Sequence, residues 1–238
     1  MKKIEICFSP ALFSSYDAKD SVVIIVDIFR ATTSICAGFY NGLIAVKTVT
    51  DIEEAKKWKA KGYLTAAERN TQKVDFADFG NSPFDFTKEK VQGKQLVFTT
   101  TNGTQAVETA KNADEIVVGA FSNIEILKEY YLKSEKNILV LCSGWNNKFC
   151  IEDTLFAGAL AEKLIESKKY THHSDSVKIS LDIWNIAKKN LLSYVKQTEH
   201  YERLINNGLE NSVEYCLTNN TAPVIPKYNK LTDSFELF

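Results

Sequence analysis

A chain of 238 residues, 45% of them hydrophobic, can fill one sizeable core and lies within the span of a single large α/β domain. A formal net charge of −1 gives no general attraction to nucleic acid or to an anionic membrane. No apolar run reaches bilayer length, MKKIEICFSP has no apolar core of a secretory signal, and cysteines scattered at 7, 36, 142, 150 and 216 read as reduced thiols in the cytoplasm.

The elements alternate. SVVIIVDIF is a β-branched strand, and RATTSICAGFYNG a helix stopped at Asn41-Gly42. IAVKTV is a strand, and DIEEAKKWKAKG a helix with an Asp cap and a Gly stop. Residues 66 to 93 have little periodicity and read as a long connection, the kind of loop that usually carries function. QLVFT is a strand, TTNGT a turn and QAVETAKNA a helix. EIVVGAF, then IEILKEYYLK with Ser122 or Asn123 as its cap, repeat the unit. NILVLC is a strand, SGWNNKFCIED a loop and TLFAGALAEKLIES a helix. After residue 171 the pattern is mainly helical, and APVIPKY, with its prolines, reads as an edge strand. Alternation at this spacing predicts one α/β domain over 1–238, with a mostly parallel sheet covered on both faces. The helical portion 171–238 is expected to pack on that same domain.

In an open parallel sheet the ligand crevice lies beyond the carboxyl ends of the strands, where helix starts offer free N–H groups. The polar turns Asp27–Thr33, Thr99–Thr104 and Cys142–Asp153 are therefore expected along one edge. Their hydroxyls and amides suit an oxyanion, and Asp27, Glu152 and Asp153 suit a hard cation such as Mg²⁺. Only Arg30, Arg69 and Arg203, of 29 basic residues, are arginine, so these three are candidates for forked oxyanion binding. His200 and Arg203, three apart, share a helix face and read as a surface pair or as positive charge brought over the site. No C-x-x-C pair or Cys/His run has zinc spacing. Walker A fails at Gln95 after Gly93-Lys94, G-x-G-x-x-G is absent, a C-x5-R signature meets Lys148, and D-x-D meets Phe29. The groups look like phosphate chemistry without a familiar phosphate motif.

VDIFRATTSI, AER, FGNSP, TTTNGT and CSGWNNKFCIED, in that order and spacing, resemble the 2-phosphosulfolactate phosphatases. The likeness runs over roughly residues 20 to 230, with HYERLINNGLENSVEYCL near its end. It implies a three-layer α/β/α fold with a mostly parallel, mixed sheet. It also implies Mg²⁺-dependent hydrolysis of 2-phospho-3-sulfolactate to 3-sulfolactate and phosphate, a step of coenzyme M synthesis. Carried over by motif, Asp27, Arg30, Cys142 and Glu152 are the catalytic candidates. Asp27, Glu68 and Asp153 are the metal candidates. Arg69, Asn81, Ser82, Thr100, Thr101, Asn102, Gly103, His200 and Arg203 are the substrate-binding candidates. The nucleophile is left among a metal-bound water, Asp27 and Cys142, with water favoured because nothing near Cys142 in the sequence lowers its pKa. The expected partner is a small phosphorylated sulfonate or carboxylate, and the sequence, silent on oligomeric state, leaves a homo-oligomer open. The alternatives are a phosphatase of another small anionic phosphate ester and a non-catalytic small-anion binding protein.

Overall fold

The first residues of the chain form an interior strand. In the computed structural model, which describes residues 1–237, β1 (Lys2–Cys7) buries Ile4, Ile6 and Cys7. Its lysines and Glu5 break the apolar run that marks the other strands. β2 (Ser21–Val26) is buried at all six positions, as a run with no polar side chain to turn toward water requires. α1 (Ala31–Tyr40) follows, then β3 (Ala45–Thr48) and α2 (Ile52–Ala60). The predicted cap of α2 is present, since the Asp51 side chain accepts the Glu53 N–H.

The stretch after Tyr63 departs from the sequence reading. Leu64–Arg69 is a strand, β4, followed by a two-residue strand, β5 (Gln72–Lys73). Two alanines and a terminal Glu-Arg give no apolar run to recognise. The strand exists because it pairs in parallel with β6 (Gln95–Thr99), Ala66 opposite Phe98 and Ala67 opposite Thr99. The connection between them holds one short helix, α3 (Lys88–Val91). Then come α4 (Gly103–Ala110), β7 (Glu115–Gly119), α5 (Ile124–Lys133) and β8 (Asn137–Cys142). α6 (Ile151–Glu166) starts early enough to take Glu152 and Asp153, placed by sequence in a loop, into its first turn.

After β9 (Tyr170–Thr171) the chain is helical in α7 (Asp175–Ala187), α8 (Leu191–Val195), α9 (Glu199–Asn206) and α10 (Asn211–Cys216). It ends in a hairpin, β10 (Lys227–Asn229) and β11 (Ser234–Glu236). This hairpin corrects the expected edge strand. The strand order is β5-β4-β6-β3-β11-β10-β7-β2-β8-β1-β9, so β10 and β11 sit in the middle of the sheet. The prolines fall before β10, where no ladder N–H is needed.

The hairpin joins two parallel blocks, β4-β6-β3 and β7-β2-β8-β1-β9. β10 is antiparallel to β7, and β11 is antiparallel to both β10 and β3. Followed across, β3 therefore runs opposite to β7. A single shared carboxyl edge is replaced by two sets of carboxyl ends that converge. An added Cβ on Gly103, after β6, would lie 2.9 Å from Ala31 Cβ and 2.9 Å from Asp27 Oδ2, after β2. One large apolar cluster runs from Ile4 through Phe235, so the C-terminal portion shares the core of the rest.

Candidate active site

Asp27 leaves the end of β2, where the sheet can no longer supply its backbone partners. Thr32 replaces them: its hydroxyl accepts the Asp27 N–H at 3.0 Å and donates to the Asp27 carbonyl at 2.8 Å. The Ala31 N–H, at the start of α1, donates to Asp27 Oδ1 at 3.3 Å. The carboxyl is buried, and burial pushes its pKa up to about 6. His200 and the Ala31 N–H oppose that rise, while Glu68 and Glu152 add to it. Arg30 is also buried and makes no ion pair within 4 Å among the described residues. Burial lowers its pKa against the pull of Cys216, Glu68, Asp85 and Asp27. The Phe29–Arg30 peptide is cis.

Glu68 arrives from β4 and is buried. Its Oε1 accepts the Thr71 N–H and the Thr101 hydroxyl, the latter at 3.4 Å, and its Oε2 accepts the Thr101 N–H at 3.5 Å. Thr100 keeps its hydroxyl buried with no partner. The Asn102 side-chain oxygen accepts the Asn146 N–H at 3.0 Å and ties the β6 turn to the β8 turn. Gly103 is required here because any side chain would strike Ala31 and Asp27. Arg69 turns away. Its fork donates to the Glu68 carbonyl at 2.7 Å, the Thr50 carbonyl at 2.9 Å and the Thr99 hydroxyl at 2.8 Å.

After β8, Gly144 takes a φ of 62°, and a Cβ there would lie 2.2 Å from the Lys148 carbonyl oxygen. The tight turn through Asn146 and Asn147 closes with Trp145 and Lys148 bonded to each other. Both Asp153 oxygens then receive backbone donors, Ile28 N–H at 2.9 Å and Gly144 N–H at 3.1 Å. Burial, with Glu152 and Asp27 nearby, raises the Asp153 pKa strongly. Glu152 Oε1 lies 2.5 Å from His200 Nδ1, and its Oε2 is buried with no partner. Burial would raise Glu152, but the charge and hydrogen bond of His200 prevail and hold it low. Cys142 is fully buried, and burial together with Asp153 drives its thiol pKa far up.

The Thr198 hydroxyl caps α9, which presents His200 and Arg203 on one face, as the spacing predicts. Arg203 stacks 4.2 Å from the Trp145 ring centroid and pairs with Glu199 at 2.5 Å, while its Nε is buried without a partner. His200 stands edge-on to Phe29, with ring centroids 5.6 Å apart.

These residues line two adjoining spaces. The inner one, about 10 Å³, is bounded by Asp27, Arg30, Glu68, Thr71, Asn81 and Asn102, with His200 and Trp145 at its boundary. The outer one, about 200 Å³, shares Trp145 and His200 and adds Lys148, Cys150, Glu152 and Arg203. Of the predicted residues, Asp27, Arg30, Glu68, Asn81, Asn102, Glu152, His200 and Arg203 line this double pocket. Thr100, Thr101 and Gly103 stand directly behind it. Ser82, which opens a short 3-10 turn, together with Arg69, Cys142 and Asp153, lies outside the lining. Sequence reading missed Thr71, Trp145 and Cys150. Trp145 stood in a quoted motif, an aromatic ring in a polar turn, and Thr71 follows AER by two residues.

The arrangement can seat a hard cation on carboxylates beside donors for an oxyanion, with an imidazole at the boundary of the two spaces. Comparison with known proteins points to a phosphatase. The family described as 2-phosphosulpholactate phosphatase matches residues 7–230. A protein of Caldanaerobacter subterraneus subsp. tengcongensis is 35% identical over 215 residues, covering 89% of each chain. One of Thermotoga petrophila is 37% identical over 203 residues, covering 85% of this chain and 87% of its own. One of Clostridium novyi is 32% identical over 230 residues, covering 95% and 97%. All three are named "Probable 2-phosphosulfolactate phosphatase".

Proposed function

Because the chain belongs to the 2-phosphosulpholactate phosphatase family, we propose that it hydrolyses 2-phospho-3-sulfolactate to 3-sulfolactate and phosphate. The place in coenzyme M synthesis that the resemblance implies goes with that substrate. We also place the protein in the cytoplasm, where its five free, buried thiols stay reduced. No helix among the described residues is long and apolar enough to cross a membrane.

The observation that carries the reading is a set of buried polar atoms without partners at the converging strand ends. Asn81 Oδ1, Thr100 Oγ1, Ser143 Oγ, Glu152 Oε2 and Arg203 Nε are all of this kind. Each such atom costs about 1–3 kcal/mol when left alone; the Thr100 and Ser143 hydroxyls and Arg203 Nε can donate to a polyanionic ligand, while the Asn81 and Glu152 oxygens can accept from a cation or proton that comes with it.

Asp27 and Glu68 fit a hard cation. Both are buried, both offer oxygen, and the bare Gly103 backbone passes close to Asp27 Oδ2. They would hold Mg²⁺, which supplies charge neutralisation at a phosphoryl oxygen. Asp153, with both oxygens on backbone N–H groups, is assigned instead to fixing the β2 and β8 turns against each other. The Thr100–Gly103 turn at the start of α4, with Asn81, donates to the remaining phosphoryl oxygens. Arg30 faces the same inner space, with its positive charge unmatched by any ion pair among the described residues. His200, oriented through Nδ1 by Glu152, gives a proton to the leaving alkoxide. Arg203 and Lys148 receive the sulfonate and carboxylate in the outer space. Water is the attacking group in this scheme, since Cys142 is outside the pocket with a thiol held protonated.

Phosphate release from 2-phospho-3-sulfolactate and from p-nitrophenyl phosphate, with Mg²⁺ or with EDTA, tests the proposal. Metal-stimulated release, faster for phosphosulfolactate, is expected. No release from either ester would overturn the enzyme reading, and preference for another small phosphate ester would overturn the substrate.

A further inference from the structure

We infer that Cys150, Glu152 and His200 form a site for a borderline-soft divalent cation, Zn²⁺ by chemical class, and that filling it inhibits the phosphatase. The three residues are buried, and one donor atom from each lies within 4.8 Å of the others. No sequence pattern announces them, because His200 comes from α9, far along the chain from the start of α6. The donors are sulfur, oxygen and nitrogen, a set that suits Zn²⁺ or Co²⁺ and is unsuited to Mg²⁺, which takes oxygen. The all-oxygen Asp27 and Glu68 pair is therefore chemically distinct from this trio. A second observation points to a ligand: Glu152 Oε2 is buried, lacks any partner, and belongs to a side chain only 2% exposed. All three residues line the outer space of about 200 Å³, which gives an ion a route in and leaves room for a water as fourth ligand.

Binding would replace the contacts that Glu152 makes with His200 and with the Cys150 thiol by three bonds to the ion. Glu152 Oε1 and His200 Nδ1 now stand 2.5 Å apart in a hydrogen bond. Around a tetrahedral ion at bond lengths of about 2.0–2.3 Å the donors stand farther apart, so the pair must open. The Cys150 thiol proton leaves to solvent as the Zn–S bond forms, with no change of oxidation state. The proton that His200 shares with Glu152 likewise leaves to solvent, the freed lone pair goes to the metal, and His200 is no longer held by Glu152 as a proton donor. The binding half of the inference stands on the three donors alone; the inhibition half rests on the function proposed above.

The test uses the full chain, stripped of metal by a chelator and returned to buffer with excess Mg²⁺. Co²⁺ is added as a spectroscopic stand-in for Zn²⁺, and phosphate release is followed separately against added Zn²⁺. One equivalent of Co²⁺ is expected to give a near-ultraviolet thiolate-to-cobalt band that Cys150→Ser and Cys150→Ala both lose. Relative to each protein's own metal-free rate, Zn²⁺ is expected to half-inhibit the Ser variant only at about tenfold higher concentration or more. Absence of the band in the wild-type chain, or its persistence in both variants, overturns the site. A full band with unimpaired phosphate release overturns the inhibition. Should the chain release no phosphate under any condition, the proposed function falls, and the cobalt band still decides the site.

Discussion

Buried acids sit at both ends of the strands, and they are built on opposite terms. Glu115 begins β7 and is answered on every side: Lys136 Nζ at 2.8 Å, Tyr131 OH at 3.0 Å and Lys227 Nζ at 3.4 Å. Burial would raise its pKa, but those partners outweigh burial and hold it below the usual glutamate value. Beyond the carboxyl ends, Asp27 has no cationic partner within ion-pair distance among the described residues, and burial raises its pKa to about 6. A buried charge with its complement supplied by the chain serves the fold. A buried charge left without one lowers stability and is kept for something from outside.

That contrast can be broken at several points. Asp27→Asn should lower the Mg²⁺-stimulated rate most, by about 10²–10³-fold in phosphate release, the scale of losing one preorganised electrostatic group. His200→Gln should lower kcat in phosphate release by about 10²-fold. Glu115→Gln should lower stability by about 1–3 kcal/mol in urea titration, discounted because Lys136 is partly exposed, and leave the reaction nearly untouched. Arg69→Lys, which breaks a brace outside the pocket lining, should alter KM by only a few fold.

The two ends should also answer pH with opposite signs. Asp27, raised in the folded state, contributes stability below its unfolded value near 3.8 and loses it as pH climbs through about 6. Measured in EDTA, Asp27→Asn should therefore be more heat-resistant than the wild type at pH 8, by at most about 3 kcal/mol, and lose that margin by pH 4. Glu115, lowered in the folded state, contributes above the unfolded value of 4.5, and its contribution disappears as pH falls through its folded value. Parallel melting curves of wild type, Asp27→Asn and Glu115→Gln across pH 3–8 would show both slopes.

Much of this was legible in the sequence because continuous apolar strands declare themselves, and the polar turns after them stand out by contrast. β2, β6, β7 and β8 were read in that way, and Asp27, Thr100 and Glu152 came with them. β1 and β4 were missed because Lys, Glu and Ala interrupt their patterns, and pairing with neighbours, which one sequence does not display, decides them. The central hairpin was missed for the same reason: its three-residue strands have no pattern of their own. The trio of Cys150, Glu152 and His200 depends on where α9 lands, a tertiary fact. Arg69 shows the opposite failure. Its rarity marked it for an anion, and the structure turns its fork to backbone carbonyls and a threonine instead.

The most direct test of the account is thermal unfolding of the wild-type chain in Mg²⁺ with and without 3-sulfolactate and inorganic phosphate. If the partnerless atoms at the strand ends await an anion, each ligand near 100 times its Kd should stabilise the fold by about 2.7 kcal/mol, and Thr100→Val should reduce the gain. Melting that neither ligand shifts, or an equal gain in Thr100→Val and Asp27→Asn, would contradict it.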